Sequence, residues 1–238
     1  GDKCNTSNYR PISILPIISK ILERWVHSVV YSYLDESNLI PSCQSGFRPL
    51  HSTETTLHDI TNKCFQAMEN GKITGTVFID LSKAFDSVNE KLEKLNMSTS
   101  VLNWFRSYLG ERSQSVNLEG NISKALPLNT GVPQGSILGP LLFIIYTSDL
   151  PVCIPKECNL FMYADDSTLT CSSSSVDEIQ NNLNTALAKI YNWCARNKLT
   201  INASKTKSML IGTKQKVHGA SLNVIIAGNS IVKVDSCK

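Results

Sequence analysis

Two consecutive aspartates, Asp165 and Asp166, interrupt an otherwise apolar stretch, and no other feature constrains the chain so much. Asn159-Leu160-Phe161-Met162-Tyr163-Ala164 runs into them with the pattern of a buried strand, and Ser167-Thr168-Leu169-Thr170-Cys171 runs out as its returning partner. The pair therefore sits at a hairpin turn. Asp is a common turn residue because its side chain bonds nearby backbone, so a plain solvated turn is one reading. The other is a cation site, since adjacent carboxylates at the tip of an apolar strand pair are costly unless a positive charge meets them.

A third acid bears on that choice. Asp80 ends Gly75-Thr76-Val77-Phe78-Ile79-Asp80-Leu81, a run apolar enough to lie in the centre of a sheet. If this strand pairs beside the hairpin, three carboxylates converge, and their repulsion raises their pKa values unless divalent cations neutralise them. All-oxygen donors suit magnesium or manganese, and two such ions about 4 Å apart clamp the attacking and leaving oxygens of an in-line phosphoryl transfer. The residues alone thus point to nucleotidyl transfer.

At 238 residues and 42% hydrophobic content the chain can bury a sizeable core, which predicts one domain or two packed subdomains rather than disorder. The first residue is Gly1, and Lys238 follows an apolar run without a closing cap, as expected of a segment of a longer reading frame. No apolar run approaches the roughly 18 residues that span a bilayer, and the N-terminus lacks a signal-peptide pattern, so an intracellular setting and no membrane partner are expected. The eight cysteines form no framework and are read as reduced thiols. The net charge of +3 hides an asymmetry: Leu187–Lys238 holds nine basic residues against one acid, and the rest of the chain is net acidic. A basic surface attracts a phosphate backbone, although a merely solvated lysine-rich tail is equally compatible.

Pro16 can open a helix in which Ile17, Ile18, Ile21, Leu22, Trp25, Val26, Val29, Val30 and Tyr33 recur at helical spacing, a stripe expected to be core. Ser52 is positioned to cap a second helix that Gly71 ends. Helices are also predicted around Leu92 and Leu95, over Val101–Leu109, Ser136–Tyr146 and Val176–Arg196. One hairpin is predicted around Glu119-Gly120-Asn121, and another with Gly228-Asn229-Ser230 between Val224-Ile225-Ile226 and Ile231-Val232. This order predicts an α+β architecture with helices on one face of an antiparallel sheet.

Six boxes stand in a definite order. They are residues 8–16 (Asn-Tyr-Arg-Pro-Ile-Ser-Ile-Leu-Pro), 44–48 (Gln-Ser-Gly-Phe-Arg), 78–86 (Phe-Ile-Asp-Leu-Ser-Lys-Ala-Phe-Asp), 131–140 (Gly-Val-Pro-Gln-Gly-Ser-Ile-Leu-Gly-Pro), 163–166 (Tyr-Ala-Asp-Asp) and 198–207 (Lys-Leu-Thr-Ile-Asn-Ala-Ser-Lys-Thr-Lys). Over nearly its whole length the chain resembles the reverse transcriptase domain of non-LTR (LINE-type) retrotransposons. The resemblance implies the fingers and palm of a right-hand polymerase, with fingers over residues 1–74 and palm over 75–238, the latter reaching the start of the primer-grip region. The palm sheet would be antiparallel and covered by helices, and the thumb is expected beyond Lys238. It implies an RNA-directed DNA polymerase using two Mg2+ or Mn2+ ions, with an RNA template, a DNA primer and deoxynucleoside triphosphates as partners, in cytoplasm and nucleus.

The same resemblance assigns roles. Asp80 and Asp165 would bridge the two ions, Asp166 would help hold or tune them, and the Leu81 carbonyl would complete the nucleotide-side ion. Phe85 would exclude a ribose 2′-hydroxyl or simply pack. Arg10 and Lys3 would grip the triphosphate, and Arg48 would support the fingers, touch template or make a surface salt bridge. Gln134 and Gly135 would meet the nascent base pair, and Lys205 would protonate the leaving pyrophosphate. One departure stands out: Glu90-Lys91-Leu92-Glu93-Lys94-Leu95 follows Asn89 directly, roughly a turn and a half of helix shorter than the family pattern, which is expected to expose sheet beside Asp80. The alternative function is a catalytically silent remnant that at most binds nucleic acid.

Overall fold

Backbone chemistry explains where the elements begin and end. The computed structural model describes residues 13–82, 88–110, 112–128, 132 and 135–235. In chain order its elements are α1 (Ile17–Glu36), α2 (Thr53–Glu69), β1 (Ile73–Ser82), α3 (Val88–Lys94), α4 (Thr99–Leu109), the short strands β2 (Arg112–Gln114), β3 (Asn117–Leu118), β4 (Asn121–Ile122) and β5 (Leu126–Leu128), then α5 (Leu138–Thr147). They continue with β6 (Cys158–Tyr163), β7 (Asp166–Ser173), α6 (Val176–Arg196), β8 (Thr200–Ile201), β9 (Lys207–Ile211), β10 (Ile225–Ile226), β11 (Asn229–Ser230) and β12 (Val232–Lys233). Ser52 caps α2 as expected: its hydroxyl accepts the Thr55 amide while the Thr55 hydroxyl accepts the Ser52 amide, a closed capping box. Gly71, at φ +68°, follows the helix end.

The chain divides into two compact units, one of residues 1–39 with 85–146 and one of residues 40–84 with 147–238. The second is built on a sheet of order β12-β9-β1-β7-β6, with β8 also pairing β1. β1 is its central strand, antiparallel to both β7 and β9, and Val77 in its middle is fully buried. Residues alternate across a strand, so Gly75 and its odd-numbered neighbours face α6, where a side chain at Gly75 would strike Ile179 and Leu183. The amphipathic stripe of α6, from Ile179 through Leu183, Leu187 and Ile190 to Cys194, is buried. Phe78, Thr168 and Phe161 stand side by side on the opposite face, and there Lys63 of α2 lies 4.8 Å over the Phe161 ring. Helices therefore cover parts of both faces, not one as expected: α6 packs on the face of Val77, Ile79 and Leu169, and α2 lies over the opposite face, where Thr74, Thr76 and Thr170 are buried. Cys158 and Cys171 are cross-strand partners on the α6 face and are free thiols.

The C-terminal hairpin differs in register from expectation. Ile225–Ile226 pairs with Asn229–Ser230 around Ala227 (φ +51°) and Gly228 (φ +79°), so Asn229 and Ser230 belong to a strand instead of the turn. Positive φ at both central residues is the twist-matched type I′ geometry. Val232–Lys233 then leaves the hairpin and joins β9 in parallel. Glu119 and Gly120 (φ +51° and +85°) turn β3 into β4 in the same way, so the expected hairpin forms with Asn121 in β4 instead of the turn, and β2 pairs β5 outside them.

In the first unit α5 is buried from Leu141 through Tyr146 on every side, which matches a sequence apolar all round. The shortened segment still forms α3 and buries Leu92 and Leu95, and the Tyr33 hydroxyl donates to the Leu95 carbonyl at 2.9 Å. α1 forms where expected, but its stripe is not core. Only Val26, Val30 and Leu34 among its apolar residues are buried, whereas Ile18 is 82% and Trp25 66% exposed, with Ile17, Ile21, Leu22 and Val29 also exposed. A line at i, i+4, i+8 is all that one packed surface covers, and the apolar arc of α1 is wider than that line. Glu23 continues the buried line. Its carboxylate accepts the Ile137 amide at 2.7 Å and the Ser19 hydroxyl at 3.2 Å, which satisfies a donor at the entry to α5.

Candidate active site at the hairpin tip

The register of the sheet decides which acids meet. Asp80 of β1 lies directly across from Asp166 of β7, and Asp166 across from Tyr163 of β6. Direct cross-strand partners project from the same face, so Asp80 and Asp166 share one. Asp165 occupies the two-residue turn with Ala164, whose φ is +57°. Only the first central residue has positive φ, the pattern of a type II′ turn, and Ala is an uncommon occupant because its Cβ crowds the carbonyl there.

The electrostatics register this crowding. Asp166 is pushed above the ordinary carboxylate range first by desolvation, then by the charge of Asp165 and then by that of Asp80. Among the described residues a cation answers them from the protein itself: the Lys205 ammonium stands 3.9 Å from an Asp80 carboxylate oxygen while its side chain stays 65% exposed. The segment after β8 places it there. Asn202 donates its amide to the Asp80 carbonyl at 2.9 Å, and its own carbonyl accepts from the Lys205 amide at 3.2 Å and the Thr206 amide at 2.9 Å, a tight turn at the end of β1. The buried Thr206 hydroxyl also donates to the Asn202 carbonyl at 2.9 Å.

Among the described residues no three His, Cys, Asp or Glu side chains are already gathered to hold a metal ion. In kind, however, the donors fit a hard divalent cation: they are all carboxylate oxygens, and the upward shift of Asp166 marks negative charge that such an ion would relieve.

The remaining residues divide by position. Leu81 pairs with Ile201 and is buried next to Asp80. Arg48 braces its own loop, donating to the carbonyls of Gln44 at 3.1 Å and Pro41 at 3.5 Å. Gly135, at φ +99°, lies in the other compact unit, where its left-handed backbone explains the glycine. Lys3, Arg10, Phe85 and Gln134 lie outside the described residues.

One contributor had no role assigned from sequence. Residues 43–46 run along the free edge of β6: Met162 donates to the Cys43 carbonyl at 2.7 Å and Ser45 donates to the Met162 carbonyl at 2.8 Å. The Gln44 side chain, 1% exposed, then accepts the Ala164 amide at 3.1 Å and the Gly46 amide at 2.8 Å. Gly46 is packed so closely that a Cβ would come within 2.1 Å of the Ala164 nitrogen. The box Gln44-Ser45-Gly46-Phe47-Arg48 was visible in the sequence, but nothing local marks a partner 120 residues away.

A central antiparallel sheet that presents facing aspartates at a hairpin tip and is backed by a long helix has the architecture of a polymerase palm. The sequence profile of the family described as Reverse transcriptase (RNA-dependent DNA polymerase) matches residues 2–233, and the chain belongs to that family. Its relatives come from LINE-type, non-LTR elements. It is 35% identical over 210 residues to the probable RNA-directed DNA polymerase from transposon BS of Drosophila melanogaster, covering 84% of this chain and 23% of the relative. It is 32% identical over 231 residues to the RNA-directed DNA polymerase from mobile element jockey of the same organism, covering 92% and 25%. The chain thus spans about a quarter of the length of these relatives. Among solved structures, apo telomerase from Candida tropicalis truncated from its C-terminal domain superposes with a TM-score of 0.59 at 16% identity, over 90% of this chain and 44% of that one. The same telomerase in complex with a TWJ fragment of telomeric RNA gives 0.60 at 12% identity, over 91% and 36%. At such identities the likeness establishes the α+β fold. Reverse transcriptases as a family use divalent metal ions.

Proposed function

We propose that this chain is the catalytic segment of a polymerase that extends a DNA primer along an RNA template, joining deoxynucleoside triphosphates with the help of two Mg2+ or Mn2+ ions. The observation that carries the reading is the cross-strand pairing of Asp80 with Asp166, with Asp165 in the adjoining turn. When bound, such ions stabilise the attacking and leaving oxygens of an in-line displacement. Asp80 and Asp165 are the residues that would hold them, with Asp166 holding or tuning and the Leu81 carbonyl completing one shell. Lys205, whose Nζ lies 3.9 Å from an Asp80 carboxylate oxygen, would pass a proton to the departing pyrophosphate. Residues 1–74 serve as fingers, where Arg10 and Lys3 grip the triphosphate and Arg48 keeps its loop closed, and residues 75–238 serve as palm. Phe85 screens the sugar, Gln134 and Gly135 meet the base pair, and the basic segment from Leu187 onward follows the phosphate backbone in an intracellular setting.

The test is primer extension on an RNA template by the full-length protein carrying this chain. Incorporation should require Mg2+ or Mn2+ and vanish in Asp165→Asn, while template binding measured on a filter stays near the parent value. Nucleic-acid binding without incorporation in the parent would overturn the proposal and leave a binding remnant.

A further inference from the structure

We propose that Gln44 is a positioning residue: its amide oxygen holds the Ala164 amide and thereby sets where Asp165 and Asp166 stand. The hydrogen bonds themselves do not depend on the polymerase reading; the kinetic consequence rests on it.

Three observations converge on this side chain. First, the contacts fix its orientation. Both partners of the side-chain oxygen are backbone N–H donors, so the oxygen must face Gly46 and Ala164, and its two lone pairs are both used. Second, it acts on the one strained residue of the turn. Ala164 is held at φ +57°, and such a conformation persists where the surroundings over-determine it. Here the surroundings are the Gln44 oxygen on the Ala164 nitrogen and the bare Gly46 backbone pressed against the same atoms. Third, Gln44 Nε2 is buried without a hydrogen-bond partner among the described residues, so the side chain is held in place through its oxygen alone.

The mechanical logic follows from the edge of the sheet. β6 is an edge strand, and residues 43–45 pair with it only at Met162. Backbone pairing ends there, two residues short of Ala164. The Gln44 side chain carries the attachment across that gap, so the tip of the hairpin is fixed on its outer side as β1 fixes it on the inner side. Loosening it should move the carboxylates while leaving the sheet paired.

The experiment uses the metal-free and the Mg2+-loaded full-length protein, with Gln44→Met to remove the acceptor at nearly constant size and Gln44→Glu to retain it. Hydrogen exchange at the Ala164 amide should quicken about tenfold or more in Gln44→Met, with exchange at Val77 and Leu169 unchanged, and should stay near the parent rate in Gln44→Glu. With Mg2+ present, kcat of Gln44→Met should fall about ten- to a hundredfold with the nucleotide KM within about twofold, since misplacement of catalytic groups is paid in rate. Unchanged Ala164 exchange in Gln44→Met, or an unchanged kcat, overturns the assignment. If Gln44→Met does not fold, Gln44→Glu decides: faster Ala164 exchange there also overturns it. A parent protein that incorporates nothing would sink the polymerase reading, and the exchange rates would still decide the role of Gln44.

Discussion

α1 and α6 are near twins in sequence logic and opposites in structure. Both run for about twenty residues with apolar side chains at helical spacing. In α6 the stripe is buried end to end against the sheet that carries the aspartates, whereas in α1 three apolar residues and Glu23 are buried and the rest of the stripe is exposed. Periodicity tells which residues share a face. It does not tell how wide a surface comes to meet that face. For α6 the sheet is broad, and Gly75 lets Ile179 and Leu183 approach its centre. For α1 the neighbouring surface in its own unit covers only the line of Glu23, Val26, Val30 and Leu34.

The contrast can be broken by substitution. The largest effect is expected at Leu183, fully buried against β1: Leu183→Ala should lower unfolding free energy by about 2–5 kcal/mol in urea titration, and a loss under 1 kcal/mol would mean α6 is not the backing of the sheet. Next, Ser52→Ala should cost about 1 kcal/mol by opening the capping box of α2, a device that α1 lacks because Pro16 makes no side-chain cap bond. Asp166→Asn should act in the other direction. The folded-state pKa of Asp166 is raised, so the folded chain binds this proton more tightly than the unfolded one, and stability falls as pH rises from the unfolded value through the folded one. The variant should therefore melt above the parent at neutral pH, with the gain disappearing below about pH 4. Solvent screening keeps the shift small. Smallest of all, Ile18→Ser on the open face of α1 should stay within about 0.5 kcal/mol of the parent; a core-sized loss would show that face to be covered.

Much of the site was legible beforehand because its signals are local. An apolar run, two acids and a second apolar run make a hairpin whatever surrounds them, and a strand ending in Asp80 could be read from its own residues. The cap of α2 and the two hairpins around Gly120 and Gly228 were equally plain, although in each the closing strand begins earlier than expected. The parallel docking of β12 and the second covered face of the sheet were not. Each depends on which surface another part of the chain presents, and neighbouring sequence carries no trace of that.

The boundary between the two kinds of knowledge runs through the candidate site. Residue order dictated that Asp165 and Asp166 stand at the tip of one hairpin, since strand geometry acts over a few residues and needs no distant partner; the register then put Asp165 in the turn and Asp166 in β7. Folding in three dimensions dictated that Asp80 stands opposite Asp166, that Lys205 returns to its side, and that Gln44 holds the turn from 120 residues away. Register, burial and long-range hydrogen bonds are properties of pairs of surfaces, and a surface exists only once the chain has closed on itself.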